Sequence, residues 1–171
     1  MFDPTIFENL KVAFENQVYD LDNIERKIHI TNREDQIDLS ILAREFSVQF
    51  SLVDPQDVTA EIVLKATLDE LAGEILELPV KNIGCTLLLR FYKRVQNFPI
   101  QCNIIEQTIK EIWEDDSKLT QTLSFLYNQE EPGYLDTIEV EFTRKINEEH
   151  MGEIEEFLEH VLETLEELHS I

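Results

Sequence analysis

Glycine is scarce in this chain, and Gly73, Gly84, Gly133 and Gly152 stand isolated from one another. A phosphate cradle needs several glycines in sequence so that backbone amides can close on the oxygens, which argues against Walker-type and dinucleotide sites. Cysteine is scarcer. Cys85 and Cys102 lie without a C-x-x-C or metal-type spacing, so a disulfide framework is not expected and both read as small buried apolar residues of a reducing compartment. Bases are outnumbered, 14 Lys and Arg against 36 Asp and Glu, for a formal charge of −22. Binding to nucleic acid requires cations that displace condensed counterions from phosphates, so neither direct nucleic-acid binding nor attachment to an anionic membrane is expected. No apolar run exceeds three residues, as in Leu87–Leu89, far short of the ~20 that span a bilayer. The opening Met1-Phe2-Asp3-Pro4 lacks the basic flank and apolar stretch of a signal peptide, and a cytoplasmic location is expected.

What is present is apolar material in quantity. Hydrophobic residues make up 43% of the 171 and aromatics 9%, enough to offset chain entropy despite the charge, and one domain over residues 1–171 is expected.

Residues 4 to about 19 read as a helix: Asp3 can cap it, Pro4 suits its first turn, and Ile6, Leu10, Ala13 or Phe14, and Val18 recur at helical spacing. Asp20-Leu21-Asp22-Asn23 is its polar stop; the likeness to a calcium loop fails for want of the downstream glycine and terminal glutamate. Ile24, Ile28 and Ile30 mark a first strand and Asn32 to Asp35 a turn. Alternation from Ile37 to Leu52 marks a second strand whose register slips near Leu42 to Arg44, predicting a bulge or bend. Val58 to Ala66 alternates as a third strand, Leu68 to Leu78 fits a short helix ended by Pro79, and Cys85 to Val95 alternates as a fourth strand. Between Pro99 and Asn128 the apolar spacing predicts two helices broken at Asp115-Asp116-Ser117, the second capped by Asp116 or Ser117. After the Glu131-Pro132-Gly133 turn, Ile138, Val140 and Phe142 mark the last strand. Met151, Ile154, Leu158, Val161, Leu165 and Leu168 then predict a helix from about Asn147 to His169. Phe157 and Leu162 widen its apolar stripe beyond a coiled-coil seam, which favours packing on a sheet. The order implies an α+β fold: an antiparallel sheet of about five strands, helices mainly on one face, and a long amphipathic C-terminal helix packed across it.

No nucleophile signature surrounds either cysteine, no catalytic residue is assigned, and neither cofactor nor metal is expected. His150, His160 and His169 share helical faces with Glu153, Glu156 and Glu166, a spacing that suits a metal pair, but a helix one-third Glu yields such pairs by composition and a solvated face is the expectation. The last twenty-five residues hold nine acids and no base. Glu153, Glu156, Glu159, Glu163 and Glu167 are therefore the candidate partner-binding residues, supplying a field for a basic protein surface. Glu166 and Glu167 oppose the macrodipole at the helix end, as a surface shaped for a cationic partner would; the weightier explanation is solubility, since exposed glutamates are good helix formers and salt screens the penalty. Arg90, Tyr92 and Arg94 on the fourth strand are candidate contacts on the sheet, with cross-strand pairing of the strand bases to Glu25, Glu45, Glu61, Glu139 and Glu141 the ordinary explanation.

The element order and low isoelectric point resemble the small acidic dimers of the type III secretion chaperone class. That resemblance implies a sheet-mediated homodimer holding an extended client, and the helical stretch expected between residues 99 and 128 departs from it. The expected function is a non-enzymatic interaction module that presents an acidic helical surface to a basic partner. Its alternatives are a small-molecule-binding or catalytic cavity between bent sheet and C-terminal helix, a client holder, and a nucleic-acid mimic.

Overall fold

The computed structural model describes residues 5–76, 83–113 and 117–171. The chain runs α1 (Thr5–Asn23), β1 (Ile28–Asp38), β2 (Ala43–Leu52), β3 (Thr59–Ala66), α2 (Leu68–Ile75), β4 (Thr86–Val95), α3 (Phe98–Trp113), β5 (Ser117–Ser124), β6 (Tyr134–Phe142), a 3-10 turn (Glu148–Glu153) and α4 (Ile154–Ser170). The strands form one six-stranded antiparallel sheet in the order β1-β2-β3-β4-β6-β5. The α+β class holds, with one more strand than expected. No helix among the described residues is long and apolar enough to cross a membrane.

Strand alternation builds the core. Cross-strand register aligns Val48, Ile62, Leu89, Val140 and Leu119 in one row and Phe50, Ala60, Phe91 and Ile138 in the next, all on one face. Three helices cover that face. α4 lies between α1 and α3 and packs on β2 and β3, while α1 reaches β1 and β3 and α3 reaches β4 and β5. Phe7, Leu10, Phe14, Val18 and Leu21 of α1 and Ile105, Ile109 and Trp113 of α3 supply their buried stripes. Each such side chain contributes roughly 1.5–3 kcal/mol when fully buried. The opposite face carries Ser47, Gln49, Glu61, Arg90, Tyr92, Thr137 and Glu139 in register.

Three segments correct the expectations. Asp20 to Asn23 does not stop the first helix but forms its last turn, and Ile24 precedes β1, which starts at Ile28. Asn32 to Asp35 is not a turn: β1 runs through it, and the chain reverses at residues 39–42, where Leu42 takes a φ of 50°. The apparent slip near Leu42 to Arg44 is therefore the hairpin reversal itself, while the register irregularity in β1 lies between Ile30 and Asn32. The second helix expected before Asn128 is strand β5, paired along β6 from Ser117↔Phe142 to Ser124↔Leu135. Leu119 and Leu123, four apart, share a side of a helix and equally a side of a strand, so their spacing does not discriminate. The expected ends of α2 at Pro79 and the cap at Asp116 lie outside the described residues. The C-terminal helix begins as a 3-10 turn, capped where the Asn147 side chain accepts from the Glu149 amide and His150 Nδ1 accepts from the Asn147 amide.

Candidate functional site

α4 turns Ile154, Leu158, Val161, Leu165 and Leu168 onto the sheet. The helical repeat then leaves Glu155, Glu156, Glu159, Glu163, Glu166 and Glu167 exposed, with Glu153 exposed in the preceding turn. None of these seven carboxylates pairs with a described base. Several bases are engaged elsewhere: Lys11 and Arg44 both hold Glu8 and Asp35, Arg33 holds Glu15, Lys110 holds Glu106 and Lys145 holds Glu70.

Acids on the neighbouring helices extend this face. A groove of about 690 Å³ between α3 and α4 brings Glu111 alongside Glu156, Glu163 and Glu167, with Trp113 and His160 at one end. On the other side of α4, Glu155 and Glu159 share a cleft with Asp20, Glu25 and Lys27, the lysine pairing with Glu25 at 2.7 Å and adding its charge to the field at Glu159.

Where the groove ends, a cavity of about 300 Å³ opens between α1, α4 and the ends of β4 and β6. Leu10, Phe14, Leu87, Trp113, Phe142 and Phe157 give it apolar walls, while Arg144, His150, Glu153 and Glu156 converge at its rim. Trp113 is held in place. Its Nε1 donates to Thr164 Oγ1 at 3.0 Å, and its ring meets Phe142 and Phe157 with centroids 5.5 and 5.3 Å away. His160 stacks edge-on against the same indole, and Arg144 Nη2 lies 2.8 Å from His150 Nε2. His169, the third histidine, instead meets Asp57 at 2.9 Å. Among the described residues no three His, Cys, Asp or Glu side chains gather as a metal-ligand set.

Arg90, Tyr92 and Arg94 lie on the uncovered sheet face, apart from the α4 glutamates on the helix side. Arg90 and Tyr92 are already engaged. Glu61 accepts from Gln49 Nε2 at 2.5 Å, Arg90 Nη1 at 2.9 Å and the Tyr92 hydroxyl at 3.0 Å, and Arg90 Nε donates to Glu139 at 2.9 Å. Burial alone would raise the Glu61 carboxyl, but these donors outweigh it and hold the group below its usual range. Tyr92 is pushed up to about 12 by burial and by the Glu61 charge. Arg94 pairs at the surface with Glu131 at 3.1 Å.

Asp136 is a buried ionisable group outside the expected residues. It is 0% exposed, in phase with Ile138 and Val140 on the covered face, and its Oδ1 has no hydrogen-bond partner. The Cys102 thiol, half-buried on α3, reaches its Oδ2 at 3.7 Å, and burial pushes the carboxyl up to about 6. Lys93, opposite it in register, is buried as well but forms no ion pair with it.

No protein family, curated protein or solved structure matches this chain.

Proposed function

We propose that the chain is a non-enzymatic interaction module that binds a basic protein segment along the outer face of α4. What supports this reading is acid in excess of base: Glu156, Glu163 and Glu167 form no ion pair with a described base, Glu159 is offset in part by the charge of Lys27, which itself pairs with Glu25, and Glu111, Asp20 and Glu25 border the same helix. Like charges summed over one face produce a potential of several kT, and a cationic segment is what lowers it. The field is screened within about 8–10 Å at physiological ionic strength, so binding should be strongly salt-dependent.

The test is affinity capture from native lysate at low and high salt, with the natural chain beside a variant carrying Glu156→Gln, Glu159→Gln, Glu163→Gln and Glu167→Gln. Recovery of basic proteins should fall with salt and fall again with the variant. Recovery indifferent to both would remove the proposal.

A further inference from the structure

Building on the basic-partner reading, we infer that the bound segment also carries one bulky apolar residue, which enters the cavity beside Trp113 while the segment's lysines or arginines lie over the α3–α4 groove. The acidic groove and the apolar cavity are one continuous surface, because Trp113, Glu156 and His160 line both. A purely electrostatic partner would use only the first of them.

Size and lining select the occupant. About 300 Å³ sits at the lower edge of the ~300–1,000 Å³ typical of small-molecule sites, and it suits a single large side chain. Phe14, Phe142 and Phe157 offer that side chain apolar contact, and the bond from Trp113 to Thr164 fixes the indole before anything binds. A desolvated anchor surrounded by charge is the usual energetic layout of a protein interface, and an amphipathic segment seated in a groove between helices is a recurring way to achieve it. The charges give the segment a direction. Arg144 stands at the rim away from Glu163 and Glu167, so the segment's bases belong on the groove side of the anchor and are disfavoured on the other.

Trp113 is the sole tryptophan, so its emission reports on the cavity without a label. The full chain is titrated with a lysine-rich peptide containing one central leucine, and with the same peptide carrying serine there. The leucine peptide should bind roughly tenfold tighter and shift the Trp113 emission, whereas the serine peptide should bind weakly and leave it unchanged. Equal affinities with unchanged emission would overturn the anchor and leave the basic-partner reading standing. Failure of both peptides at low salt would instead overturn that reading, and the anchor with it. A third peptide keeps the leucine but replaces lysine with glutamine. If it binds as tightly as the first, the cavity takes apolar ligands irrespective of charge and the combined site is refuted. Glu111→Lys with Glu163→Lys should weaken the leucine peptide about tenfold, while Glu130→Lys with Glu141→Lys, the same change in charge placed away from the groove, should not. Equal losses in the two double variants would also overturn the placement.

Discussion

Replacing Asp136 by Asn should make this protein more stable at neutral pH, although the change removes a native carboxylate from its core. Asp136 is fully buried, one of its carboxylate oxygens has no partner, and among the described residues the side chain's one hydrogen bond comes from a thiol at 3.7 Å. Burial raises the carboxyl from 3.8 to about 6 in the folded chain. At 1.36 kcal/mol per pH unit, that separation corresponds to about 3 kcal/mol. The sign follows from which state holds the proton more tightly. Below the unfolded value both states are protonated and nothing is lost; as pH rises toward about 6 the unfolded chain ionises first, and above it the folded chain bears the full cost of a buried charge. The natural chain should therefore lose stability relative to Asp136→Asn as pH rises. Between pH 5 and 8 the variant's advantage should grow by about 1.5 kcal/mol, the part of the 3 kcal/mol that falls in that window. Urea unfolding followed by Trp113 fluorescence at several pH values measures it. Any packing cost of the amide is independent of pH and cancels in the comparison, so a stability difference that stays flat from pH 5 to 8 would refute the reasoning.

The Glu61 cluster should behave in the opposite sense. Glu61→Gln should cost about 1–3 kcal/mol at pH 7 by weakening bonds from Arg90, Tyr92 and Gln49. Because the folded carboxyl lies below its ordinary 4.5, the stability it contributes is complete above that value and lost as pH falls through the folded one. Denaturant titration should show the gap closing on acidification; a gap that widens in acid would count against the network. Gly133 sits at φ +88°, and a Cβ there would approach the Val95 carbonyl oxygen to 2.3 Å. Gly133→Ala should therefore destabilise by more than ~1 kcal/mol, visible as a lowered melting temperature, and an unchanged one would contradict the close approach.

Much of the layout was legible because periodicity and burial agree. α1, β4 and α4 follow from their apolar spacing, and the α4 glutamates were placed on a solvated face by the same rule. β5 was not legible because Leu119 and Leu123 fit either period, although Thr120, Gln121 and Thr122 between them favour strand over helix. At the first hairpin, Ile37, Leu39 and Ile41 continue the alternation into the reversal yet are 54%, 76% and 60% exposed, so hydrophobicity there does not mark an inward face. Asp136 carried a usable signal, since counting back by two from Ile138 puts it inside. A cavity between sheet and C-terminal helix is an expected alternative, but nothing in the spacing places it beside Trp113, because its walls come from α1, α3, α4 and two strand ends whose meeting depends on the whole topology.

The place of β6 between β4 and β5 has a consequence for how the chain is made. β4 is central in the finished sheet, yet one of its sides is satisfied only by residues 134–141, so Leu89 waits for Val140. Any product that stops after α3 would present that side bare, a long hydrophobic strand with its amide and carbonyl groups unsatisfied. Synthesis from the amino end passes through the same condition, and the growing polypeptide stays adhesive until the β5–β6 hairpin arrives to close it.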